Sequence, residues 1–285
     1  MKKLFSIVLA ALMVAALFAG CGSSTAETKA PETTAAPAAA ETTAAPAETE
    51  APAETEAAAT FTTIEAGKLI MSTNAAFPPY EMVADDGSFE GIDVEIAGAV
   101  AAKLGLELVV DDMDFDAALL AVQQGKSDIV MAGVTVNEDR KMVMNFSDTY
   151  SKGVQVVIVK EGSDVTLDNL GDQMIGTQRG TTGYIYTSGD YGEDHVTAYD
   201  NGASAVQALM NGQVDCVVID SAPAEAFVEA NPGLTILDTE YTSEDYAIGM
   251  SKDNTALLDA VNAALAELTA DGTIPAIVEK YIPTK

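Results

Sequence analysis

Two passages of this chain repeat one pattern about 87 residues apart. Residues 121–131 read AVQQGKSDIVM and residues 208–218 read ALMNGQVDCVV. Each is a helix end, a glycine (Gly125, Gly212), an aspartate three residues on (Asp128, Asp215) and an apolar strand. An offset of this length is too long for a solenoid and fits two similar lobes, each expected to have its own sheet. Asp128 and Asp215 are expected to hold the loop before the strand, a structural role preferred over catalysis.

The segments around the first copy alternate strand and helix. Residues 68–73 (KLIMST) read as a strand. Residues 91–104 follow as a helix, with Ile92, Ile96, Ala99, Val100 and Leu104 at helical spacing and Gly105 as its stop. A strand at 106–110 leads to Asp114, Phe115 and Asp116, which open a helix over 117–124. This order predicts an α/β fold with mainly parallel sheets. Farther on, residues 154–159 (VQVVIV) form an apolar run fit for a buried or lobe-crossing strand, and 246–250 (YAIGM) a further strand. A helix over 256–268 and a short one after Pro275 close the chain.

The formal charge of -30, from 14 Lys+Arg against 44 Asp+Glu, argues against nucleic acid or an anionic membrane surface as partner. One histidine, His195, and two cysteines, Cys21 and Cys216, leave almost no material for zinc sites or histidine-based triads. No metal or cofactor is expected. Cys216, inside a strand, reads as a small buried apolar residue.

The first sixty or so residues are not globular. Lys2 and Lys3 precede an apolar run from Leu4 to Phe18, too short for a comfortable span, and Ala19, Gly20 and Cys21 end it. Residues 1–20 are therefore expected to be a signal peptide of bacterial lipoprotein type with Cys21 as the lipidated residue; Phe18, where Leu is usual, departs mildly. The alternative is an ordinary signal peptide with an incidental cysteine. Residues 21–60, nearly all Ala, Thr, Pro, Glu and Ser, bury too little apolar surface to offset chain entropy and are expected to form a disordered spacer.

Candidate binding residues cluster where strands give way to helices. After the apolar run of Ile129, Val130 and Met131 come Ala132, Gly133 and the hydroxyl of Thr135, and then Asn137, Glu138 and Asp139 open a helix. Arg140 falls in its first turn, against the positive end of the helix dipole, at a cost of a few tenths to about 1 kcal/mol. A ligand carboxylate would offset it, since Arg offers a planar fork and the turn adds N–H and hydroxyl donors. Pairing with a surface acid is the alternative. Phe77, before Pro78 and Pro79, sits at the carboxyl end of a strand, where open α/β sheets bind ligands; core packing is the alternative. Residues 174–178 lead into Arg179, Gly180, Thr181, Thr182 and Gly183, a second anion-accepting turn that lacks the lysine and length of a P-loop. Asp220 ends the second copy's strand, where it pairs with an ammonium or merely caps the next helix.

These fragments together, over about residues 68–282, resemble the extracytoplasmic solute-binding proteins of polar amino acid ABC transporters, bacterial family 3. The resemblance implies a periplasmic-binding-protein-like fold of two lobes joined by two crossing strands and closing on the ligand. Lobe 1 would be residues 61–152 with the return 246–285, and lobe 2 residues 153–245. Arg140 would hold an α-carboxylate, helped by the backbone and hydroxyl of Thr135 and by Thr182 with its neighbour Thr181. Asp220 would take the α-ammonium with the carbonyl of Gly133 or of its neighbour Ala132. Phe77 and Phe115 would sandwich the side chain. Asn74 stands where binders of cationic amino acids carry Asp, and Gln178 is a neutral amide, so a polar neutral ligand is expected. The implied function is capture of an amino acid and delivery to permease subunits by a monomer tethered to the outer face of the cell membrane by lipid alone. An extracytoplasmic dehydratase on the same scaffold, which needs a general acid or base at the ligand, and a sensory lipoprotein are the alternatives.

Overall fold

Parallel strands need long crossovers, and the first half of the chain supplies them with helices. The computed structural model describes residues 61–238 and 240–283; residues 1–20, Cys21 and the rest of the tail to residue 60 lie outside the described residues. The chain runs from β1 (Lys68–Thr73) through a small antiparallel sheet of β2 (Ala76–Phe77), β3 (Glu81–Val83) and β4 (Phe89–Glu90). Next come α1 (Ile92–Lys103), β5 (Glu107–Asp112), α2 (Phe115–Gln123) and β6 (Ile129–Val130). β5 and β6 flank β1, both parallel to it.

After α3 (Glu138–Val143), the 17-residue β7 (Met144–Lys160) carries the chain across. The expected apolar run is only its last third, and the strand starts ten residues earlier. The second half repeats the first: β8 (Ile175–Gln178), α4 (Thr182–Tyr191), β9 (Val196–Tyr199), α5 (Gly202–Met210), β10 (Cys216–Asp220) and α6 (Ser221–Ala230), with β10, β8 and β9 mutually parallel. β11 (Leu234–Ile236) pairs with β7, and β12 (Thr242–Ser251) returns antiparallel along β7 to β6. α7 (Thr255–Ala270) and α8 (Thr273–Tyr281) complete the first half. α8 starts two residues before Pro275, which a helix tolerates in its first turn, where N–H groups have no intrahelical acceptor.

Each lobe has its expected group of parallel strands, β5-β1-β6 and β10-β8-β9, and the crossing strands join the two groups edge to edge. The strand order β5-β1-β6-β12-β7-β10-β8-β9 is one continuous sheet, because β7 and β12 bond each other as well as the strands on either side. The crossing strands thereby satisfy backbone groups that two separate sheets would leave as open edges.

The internal repeat has a matching physical device. The Asp128 carboxylate accepts the N–H groups of Ile64 and Ile70, each at 2.8 Å, and its own N–H donates to the Ile70 carbonyl. In the second copy the Asp215 carboxylate accepts the N–H of Met174 at 2.8 Å and its N–H donates to the Met174 carbonyl. Both aspartates fasten their strand's entry to the neighbouring parallel strand. Cys216 is fully buried in β10, and burial pushes its thiol up to about 12. Among the described residues no helix is long and apolar enough to cross a membrane, and no His/Cys/Asp/Glu cluster could hold a metal ion.

Candidate functional site

The parallel strands of both halves point their carboxyl ends at one cleft. Asn74 follows β1, Ala132 and Gly133 follow β6, Gln178 ends β8 and Asp220 ends β10. Helix starts add Phe115 at the head of α2, Arg140 in the first turn of α3 and Thr182 at the head of α4. All eleven residues singled out in the sequence (Asn74, Phe77, Phe115, Ala132, Gly133, Thr135, Arg140, Gln178, Thr181, Thr182 and Asp220) line this cleft, and Glu81 joins them.

Arg140 is held from both ends. Asn137 caps α3 by accepting the Arg140 backbone N–H at 2.8 Å, and the guanidinium donates to the carbonyls of Thr135 at 2.9 Å and Gly180 at 3.1 Å. It also lies over the Phe115 ring, 5.3 Å from the centroid. The side chain is buried and makes no ion pair among the described residues, which sets aside pairing with a surface acid. Burial pushes its pKa down. A buried cation held by two carbonyls and an aromatic face, with no ion pair among the described residues, is poised for an anion.

Asp220 stands at the N-cap of α6, yet its side chain caps nothing. It accepts instead from the Gln155 amide at 2.8 Å and from the Tyr246 hydroxyl. Burial, and then the charge of Glu244, push its carboxyl up to about 7, against the lowering effect of those two donors. A cation placed beside it would restore the ionised form.

The two halves meet across the cleft. The Gln178 amide donates to the Asn74 carbonyl oxygen at 2.9 Å, the Thr135 and Thr182 hydroxyls lie 3.4 Å apart, and Arg140 reaches Gly180. Thr181 caps α4, accepting from the Tyr184 N–H while donating to the Gln178 carbonyl. Gly133 has φ +55°, and its N–H donates to Asp93 at 2.9 Å; a Cβ there would come within 2.8 Å of the Phe77 ring. That approach requires glycine.

Sequence reasoning missed Glu81 in the cleft wall and a polar layer behind it of Asp93, Gln155, Glu244 and Tyr246, all buried. The Gln155 amide bridges Asp220 and Glu244, and Glu244 also accepts the Thr135 hydroxyl at 2.9 Å. Gln155 interrupts the apolar run of the crossing strand β7 and is marked in that way, whereas Glu244 stands in the polar start of β12 and carries no such signal.

The family model for bacterial extracellular solute-binding proteins, family 3, matches residues 69–284. The chain is 29% identical to ABC transporter arginine-binding protein 1 of Escherichia coli K12, over 80% of this chain and 96% of the relative. It is 27% identical to the glutamine-binding protein GlnH of Bacillus subtilis 168, over 99% and 98%. An ancestral arginine-binding protein solved with glutamine superposes with a TM-score of 0.73 at 38% identity, covering 76% of this chain and 99% of that one. An ancestral arginine-binding protein solved with arginine gives 0.72 at 39%, covering 76% and 98%. Proteins of this family are extracytoplasmic, bind amino acids for ABC transport and are not enzymes. A cleft at the strand ends of two α/β lobes, with a buried Arg on one side and a buried Asp on the other, is matched by a family assignment over nearly the whole described chain, and this protein belongs to the bacterial extracellular solute-binding proteins, family 3.

Proposed function

We propose that this protein captures a free polar amino acid outside the membrane and hands it to an ABC permease, with Arg140 on the α-carboxylate and Asp220 on the α-ammonium. One observation carries the reading: a buried Arg and a buried Asp, neither in an ion pair among the described residues, line the same cleft from opposite lobes. A zwitterion supplies both missing charges at once. Thr135, Thr181 and Thr182 assist the carboxylate, and the carbonyl of Gly133 or Ala132 assists the ammonium. Phe77 and Phe115 enclose the side chain. The Asn74–Gln178 amide pair suits a polar neutral group. The lobes in this reading are 61–152 with 246–285, and 153–245.

Glu81 favours a second reading, a cationic side chain, because it brings a fully buried carboxyl to the cleft wall. Ancestral arginine-binding proteins solved with glutamine and with arginine are consistent with either class. Thermal shifts of the full chain against the twenty amino acids and cystine test both readings. A ligand at 100 times its Kd adds about 2.7 kcal/mol of stability. The expected best ligand is polar and neutral; a basic one would establish the second reading, and no shift with any of them would overturn amino acid capture.

The mature chain begins at a lipidated Cys21, and residues 21–60 space a monomeric binding unit from the outer face of the cell membrane. Mass spectrometry of the mature N-terminus should find a lipid-modified Cys21. An unmodified terminus beyond it would rule the anchor out.

A further inference from the structure

We propose that Glu81 and Asp93 share one proton, and that this proton lets the site take a neutral side chain while it is held and a guanidinium or alkylammonium side chain as it leaves. The inference rests on the reading of Arg140 and Asp220 as the poles that hold the ligand's α-groups.

Glu81 lines the cleft at the start of β3, and Asp93 lies behind it in the first turn of α1; both are fully buried. Asp93 has a structural duty, accepting the Gly133 N–H with Oδ2. Its Oδ1 and both oxygens of Glu81 lack a fully formed hydrogen bond among the described residues, although the Tyr150 hydroxyl, itself without another partner, stands toward Asp93. Two ionised carboxylates are acceptors only, so side by side in the interior they would repel and leave these oxygens unsatisfied. One proton between them removes both problems. The groups facing the pair give no counter-cation: Asp112 from β5, Asp220 from β10, Tyr80 beside Glu81, and Tyr150 from β7.

The geometry puts the proton on Glu81, because Asp93 accepts the Gly133 N–H, a bond that favours its ionised form. Burial, and then the charge of Asp93, hold that carboxyl well above the usual carboxylate range. Burial raises Asp93 only to about 6, because the Gly133 N–H, Tyr150 and Glu81 offset it. A protonated Glu81 offers a ligand one O–H donor and a carbonyl acceptor, which suits an amide or hydroxyl. When a cationic side chain enters, Glu81 gives its proton to solvent and the carboxylate pairs with the cation. The exchange moves one proton and breaks no other bond.

The test is calorimetry of the full chain with L-glutamine and L-arginine between pH 5 and pH 8, in buffers of different ionisation enthalpy. Both ligands carry the same α-groups, so the titration of Asp220 cancels in the ratio of their affinities. That ratio should move toward arginine with rising pH, by up to about tenfold per unit, the limit for one displaced proton. Arginine should release about one proton more than glutamine, as the same linkage requires. In Glu81→Gln the ratio should lose its pH dependence. A flat ratio in the wild type with both ligands bound would overturn the shared proton and leave amino acid capture intact. Binding of one class only at every pH would also overturn it, and binding of neither would overturn both readings.

Discussion

Arg140→Ala should weaken amino acid binding by roughly thirtyfold to several thousandfold, the equivalent of about 2 to 5 kcal/mol for truncating one side of a desolvated charge pair. The fold should survive. The guanidinium forms no ion pair among the described residues, so its removal breaks no direct contact with a carboxylate there and frees the carbonyls of Thr135 and Gly180 at the cleft wall. Asp220→Asn should cost a similar factor at the other pole. It keeps an oxygen for the Gln155 amide or the Tyr246 hydroxyl but cannot carry the charge that an ammonium needs.

Ligand analogues separate the two poles. Calorimetry with the best amino acid, its carboxamide and its deaminated form should find that Arg140→Ala loses most of the preference for carboxylate over amide. Asp220→Asn should lose most of the preference for amine over none. Folded variants that keep both preferences at near wild-type affinity would place the ligand elsewhere.

How much of this site the sequence shows follows from the kind of order that places each residue. Arg140, Gly133, Gln178 and Asp220 lie where a strand ends or a helix begins, and local signals mark such points. Asn137 predicts the start of α3 and thereby puts Arg140 in its first turn. The helix α1 is legible from its apolar spacing and from Gly105, which has φ +70° at its end. Tertiary register places the rest. Glu244 faces Gln155 and Asp220 only because β12, β7 and β10 align as they do, and nothing local specifies that pairing. Glu81 opens a three-residue strand, too short for alternation to assign it a face. Asp93 looks like an acid favoured by a helix N-terminus, whereas in the fold it is buried against Gly133. Two crossing strands are expected from the family resemblance, but local pattern marks only the last third of β7, because the strand is apolar only there.

The stability of the ligand-free protein should carry the signature of Asp220. Its carboxyl is pushed from an ordinary 3.8 up to about 7 by burial and by Glu244. Between about pH 4 and pH 7 the native state therefore holds a proton that the unfolded chain has released, and raising the pH through that window costs stability. A shift of this size corresponds to a loss on the order of 4 kcal/mol, at about 1.4 kcal/mol per pH unit. Glu81 and Asp93, raised in the same direction, add to the slope, so the informative quantity is the difference between the wild type and Asp220→Asn. Urea unfolding at pH 4 and pH 8 should show the variant gaining on the wild type by that amount. A saturating amino acid should reduce the difference, because its ammonium favours the ionised Asp220 and draws the titration back toward the ordinary range. Binding to the wild type should accordingly tighten as pH rises to about 7 and then level off. A variant whose stability tracks the wild type at every pH would mean that Asp220 stays ionised in the cleft, beside the Gln155 amide and the Tyr246 hydroxyl that donate to it.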